Sequence, residues 1–138
     1  MPVIKNLLKH KKQILLILAI GWTLLLTVLS LFSISDLPKI KFNASDKLIH
    51  TLFYLVLAVV WLFYFDQKKE SALKNKFIIA IGVFLFIYGI VIEVLQDVLP
   101  YRRTADIKDM IANAVGILIG IFVFKIILRK LKSLKTEN

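Results

Sequence analysis

Apolar residues fall in four long runs along the chain, and polar residues gather in the short stretches between them. The runs predict helices at about 14–34, 47–65, 77–99 and 106–128. Each is close to the ~20 residues that cross the hydrocarbon core of a bilayer. Ser45 or Asp46 can cap the second helix, because either side-chain oxygen accepts a free backbone N–H of the first turn. Pro100 stops the third, since it has no N–H to give. The first run begins after a basic segment, as a secretory signal does, but it outlasts the ~7–15 residues of a signal core. It therefore reads as a transmembrane helix. No repeat and no linker interrupts the pattern. The expected fold is all-α, a polytopic membrane protein built as one domain over residues 1–138. It is a four-helix transmembrane bundle with short connections, whose sequential neighbours should pack antiparallel.

Composition agrees with lipid as the solvent. Of 138 residues, 59% are hydrophobic, and the mean hydropathy is +0.79. A chain this short has too little interior to hide so much apolar surface from water. Cysteine is absent, which excludes disulfides, thiolate nucleophiles and thiolate metal sites.

The net charge of +10 first suggests nucleic acid, but its distribution is topological. Thirteen of the nineteen Lys and Arg lie at the two termini and in the 66–76 loop, and six lie on the other side. Six of the nine acidic residues balance those six. Cationic loops stay in the cytoplasm. The expected location is the bacterial inner membrane, multi-pass, with both termini cytoplasmic. The basic face then anchors to anionic headgroups, and no nucleic-acid partner is expected.

Helical phase sorts the remaining polar residues. At ~100° per residue, Gly82, Gly89, Glu93 and Gln96 share a stripe of about 60° on the third helix. Asp106, Asp109, Asn113, Gly116 and Gly120 fall within roughly 80° on the fourth. Asp46, His50 and Tyr54 are spaced four apart on the second. The three stripes end at similar depth toward the non-cytoplasmic side. Lipid penalises polar groups at that depth, so they should meet one another or line a water-filled cleft. Ala112, Gly116 and Gly120 form a small-xxx-small pattern that favours close helix contact.

These residues carry a resemblance. The run DKLIH (Asp46–His50) with Tyr54, then EVLQ (Glu93–Gln96), then RRTADIKDMIANAVG (Arg102–Gly116) is similar to the VanZ-like family of small bacterial membrane proteins. The family pattern is matched at Asp46, Lys47, His50, Tyr54, Glu93, Gln96, Arg103, Asp109, Asn113 and Gly116, over about residues 40–125. One departure is Asp106, where the family often has a small polar residue. The resemblance implies an envelope protein, and it implies a link to resistance against the lipidated glycopeptide teicoplanin.

Two readings follow. In the first, an outer-leaflet polar cleft binds a lipid headgroup or a lipoglycopeptide. Its ligand-binding residues are Asp46, His50, Tyr54, Glu93, Gln96, Arg103, Asp109 and Asn113. Arg103 holds phosphate oxygens bidentately. In the second, the protein is an enzyme acting on a lipid-linked phosphate or sugar. His50, Glu93 and Asp109 are then the candidates for general acid or base. No P-loop, serine elbow or paired-His zinc motif is present. The expectation is no resident metal or cofactor. Were Mg²⁺ to bind, Asp106, Asp109 and Glu93 are the oxygen donors in reach. The Gly116/Gly120 face is the surface expected to join a second copy.

Overall fold

Four helices make up the computed structural model, which describes residues 2–31, 45–67, 73–99 and 106–136. They are α1 (Pro2–Leu31), α2 (Ser45–Gln67), α3 (Asn75–Val98) and α4 (Ile107–Thr136). No strand occurs among the described residues. The fold is all-α, and all four helices contain a stretch long and apolar enough to cross a membrane.

Two boundaries differ from expectation. α1 starts at Pro2, well before the apolar run, because the basic segment holds no breaker after Pro2 and its Lys and Leu are good helix formers. Pro2 itself sits where a helix tolerates proline. For the same reason α4 runs through the basic tail to Thr136. α3 ends at Val98, and the N–H of Leu99 closes it onto the Leu95 carbonyl. Pro100 and the three connecting loops lie outside the described residues. So do Arg102 and Arg103.

The packing order is not the chain order. The most extensive contact joins α2 to α4, and these two helices run parallel. Their pairs advance together, from Lys47 beside Asp109, through His50 beside Asn113, to Phe63 against Phe124. α1 packs mainly on α2, and α3 mainly on α4. α1 and α4 sit diagonally, with no packing between them among the described residues. The expected antiparallel contacts between sequential neighbours are present, as in α3 against α4 from Gly82 beside Ile121 to Glu93 beside Asp106, but the most extensive contact joins the non-sequential pair α2 and α4. What decides it is the small-residue stripe of α4. A Cβ at Gly116 would overlap the Thr51 carbonyl, and one at Gly120 would lie 2.7 Å from the Leu55 carbonyl oxygen. Only glycine lets the two backbones approach this far. The face expected to join a second copy is thus filled by α2 of the same chain.

The core is thin, as a bundle in lipid allows. Leu26, Tyr54, Leu57, Ala58, Leu85 and Ile117 form one cluster, and Leu62, Leu73, Ile78 and Phe124 form a second. Large apolar side chains cover the outside, with Ile17 and Phe84 each 70% exposed. In water that surface would drive aggregation, whereas lipid solvates it. Because lipid gives no hydrophobic push between helices, hydrogen bonds and close packing hold them. Trp22 Nε1 donates to the Phe53 carbonyl at 3.0 Å, and Trp61 Nε1 donates to Thr23 Oγ1 at 3.1 Å. Thr27 and Tyr88 share a hydroxyl hydrogen bond at 2.8 Å. Gln96 Nε2 donates to the Ser30 carbonyl at 2.8 Å.

Candidate functional site

The polar stripes converge at one end of the bundle, where α2 and α4 begin and α3 ends. Local capping sets up the first part. Asp106 precedes α4, and its carbonyl accepts from the N–H groups of Asp109 and Met110. Its Oδ1 accepts from the Lys108 N–H at 2.9 Å, a side-chain cap on the first turn. Its own N–H donates to Glu93 Oε2 at 3.3 Å, which ties the end of α3 to the start of α4. Glu93 is 1% exposed. A carboxylate so deep in a membrane helix needs such a donor.

Lys47 is the hub on α2. Its ammonium donates to Asp106 Oδ2 at 2.7 Å and to Asp109 Oδ1, and it lies 3.9 Å from Asp46 Oδ2. The Lys47 hydrogen bond, with the Lys108 N–H second, holds the Asp106 carboxyl below the usual carboxylate range. Three carboxylates around one ammonium leave this group of side chains anionic.

One turn further in, His50 Nδ1 and Asn113 Oδ1 are 3.0 Å apart, and His50 Nε2 lies 3.8 Å from Asp109 Oδ2. Asn113 is buried. Thr51 Oγ1 donates to the Lys47 carbonyl and to the Ala112 carbonyl, at 2.9 and 3.3 Å, fixing this turn against α4. One turn deeper still, Tyr54 is 2% exposed, and its hydroxyl has no hydrogen-bond partner among the described residues. It packs at Gly89 beside the Asn113 amide, in space that a Cβ at Gly89 would crowd. A cavity of about 130 Å³ opens alongside, between α1 and α2, lined by Ser30, Asp46, His50 and Tyr54 with apolar neighbours.

A family model, VanZ/LLP1, matches residues 4–128. The chain belongs to the VanZ/LLP1 family. No curated protein and no solved structure matches it. Four apolar helices in a VanZ/LLP1 chain make this a multi-pass membrane protein.

For the VanZ/LLP1 chain, the structure brings together His50, Asp109, Asn113 and Tyr54, with Glu93 reached through Asp106. Asp46 stands at the rim, its side chain 49% exposed. Gln96 faces elsewhere, its amide engaged by Ser30 of α1. Arg103 lies outside the described residues. The oxygen set Asp106, Asp109 and Glu93 is not gathered around one point, because Asp106 is taken up by Lys47 and the α4 cap. The described group with metal-ligand geometry is instead Asp46, His50 and Asp109, whose donor atoms lie within 4.8 Å of one another. Lys47 is the residue that sequence reasoning undervalued. A lysine at a helix start reads as an interfacial anchor, and its place in the family pattern was the available signal.

Proposed function

We propose that this protein sits in the bacterial cytoplasmic membrane with both termini inside. In this reading its polar cleft binds the head of an envelope lipid or of a lipid-anchored glycopeptide such as teicoplanin, at the outer leaflet. One observation carries the reading. Inside bilayer-spanning helices, Tyr54, whose buried hydroxyl has no hydrogen-bond partner among the described residues, lines a cavity together with His50 and Asp46. A buried polar group left unsatisfied costs about 1–3 kcal/mol, and a ligand that bonds to it recovers that cost. His50, Asn113 and Tyr54 would hydrogen-bond the head. Asp46 and Asp109 would attract its ammonium or hydroxyl groups. Arg103 would hold phosphate oxygens, and Glu93 would hold the loop that carries it. Binding there would resist a lipoglycopeptide by sequestering it or its target.

The enzyme reading draws on His50 as general base, its ring oriented by Asn113 and its Nε2 3.8 Å from Asp109 Oδ2. Lipid-phosphate turnover by the purified protein separates it from binding alone.

The test uses Glu93→Gln, Arg103→Lys, Asp109→Asn and His50→Ala, each first shown to insert and fold. Loss of the teicoplanin phenotype or a changed envelope-lipid profile supports the cleft. Wild-type behaviour in all four would mean that the polar cluster only holds helices together.

A further inference from the structure

We infer that His50 Nε2, one Asp109 oxygen and one Asp46 oxygen form a binding site for a divalent transition-metal ion, with Zn²⁺ preferred over Mg²⁺. The donor set is one imidazole and two carboxylates from two helices, already within 4.8 Å of one another. Such a mixed nitrogen–oxygen set suits Zn²⁺ better than Mg²⁺, which takes oxygen and dehydrates reluctantly.

Three further observations bear on it. The first is the orientation of the ring. Asn113 Oδ1 accepts only, so a neutral His50 carries its proton on Nδ1 and turns the Nε2 lone pair toward Asp109 Oδ2, 3.8 Å away. A lone pair facing a carboxylate oxygen is stabilised by a cation shared between them. A carbonyl oxygen on the other ring nitrogen is also how metal-binding histidines are usually oriented. The second is the room beside the site. Asp46 and His50 line the cavity of about 130 Å³, where further positions on the ion could meet water or a ligand oxygen. Tyr54, buried and with its hydroxyl unpartnered among the described residues, lines the same cavity. The third is Lys47, which already supplies a positive charge to Asp109. It keeps a second partner in Asp106 at 2.7 Å. It can therefore release Asp109 to an ion without losing its own counter-charge.

The site goes beyond the headgroup reading and does not depend on it. An ion here would neutralise the local charge, so an anionic group such as a phosphate could approach an otherwise acidic cleft and meet the ion.

The experiment is equilibrium dialysis of tag-free protein in detergent against Zn²⁺ and, separately, Mg²⁺, with metal content measured by mass spectrometry. His10, the only other histidine, is exposed near the far end of α1. The expected result is one chelator-removable Zn²⁺ per chain and no comparable Mg²⁺. His50→Ala and Asp109→Asn should lose it. Asn113→Ala should bind about tenfold or more weakly. Lys47→Met should bind tighter by about tenfold, since it removes a competing charge. If Lys47→Met does not fold, the visible spectrum of Co²⁺-loaded wild type reports the same site by its nitrogen ligand, and its loss in His50→Ala is the expected result. Absence of saturable Zn²⁺ binding in wild type, or binding unchanged in His50→Ala and Asp109→Asn, overturns the inference. Headgroup binding is measured in parallel with chelator present. Lipid binding without Zn²⁺ uptake sinks the metal site alone. Zn²⁺ uptake without lipid binding sinks the headgroup reading and leaves the metal site standing.

Discussion

Replacing Gly120 or Gly116 with alanine tests how the bundle makes its polar site. At Gly120 the new methyl would sit 2.7 Å from the Leu55 carbonyl oxygen and 2.8 Å from the Ala58 Cβ. Ordinary contact begins near 3.4 Å, so α4 must retreat from α2 by about 0.7 Å. Overpacking of this kind costs about 1–3 kcal/mol, and the better helix propensity of alanine returns up to ~1 kcal/mol. The expected net loss is about 1–2 kcal/mol for Gly120→Ala. It is larger for Gly116→Ala, where the methyl meets the backbone of Thr51 and Leu55 together. The site should suffer as well. The His50–Asn113 contact is 3.0 Å, and a retreat of about 0.7 Å takes it beyond hydrogen-bond range. The assay is unfolding in mixed detergent, followed through Trp22 and Trp61. Gly21→Ala is the control, because nothing lies within 4 Å of its added methyl. It should be neutral or stabilising. Wild-type stability in Gly116→Ala would refute the claim that α2 and α4 meet backbone to backbone.

Other outcomes follow from single contacts. Lys47→Met should lower stability by about 1 kcal/mol, after allowing for solvent screening on its open side, with unfolding in detergent as the readout. The Asp106 carboxyl is held below its usual range in the folded chain. Its stabilisation is therefore complete above that range, shrinks as pH falls through it, and is gone below the folded-state value. Asp106→Asn should flatten the acid limb of a thermal-midpoint profile taken from pH 7 downward. Gln96→Ala should cost about 1 kcal/mol by releasing α3 from α1, and it should leave headgroup binding unchanged.

The helices were readable from sequence because each apolar run exceeds a bilayer's span and its polar residues keep one helical phase. Phase and depth placed His50, Glu93 and Asn113 at similar depth, and the structure pairs His50 with Asn113. The partner of each stripe was not readable. Short loops favour sequential neighbours, and nothing local says that Gly116 and Gly120 admit α2 rather than another chain. Lys47 was undervalued because its role comes from two carboxylates about sixty residues away. Gln96 shares the phase of Glu93, yet it turns to α1, since a long amide can reach a carbonyl to either side of its stripe.

Tyr54→Phe probes the central claim most directly, because it removes one hydroxyl that bonds to no described residue and leaves the ring in place. Wild type and variant would be reconstituted in nanodiscs made from the source envelope lipids. Bound lipid or added teicoplanin would be quantified by native mass spectrometry, with stability measured on the same samples. The account predicts unchanged or slightly raised stability together with binding weakened by about five- to tenfold, the worth of one hydrogen bond. Unchanged binding in Tyr54→Phe, and also in folded His50→Ala, would contradict it.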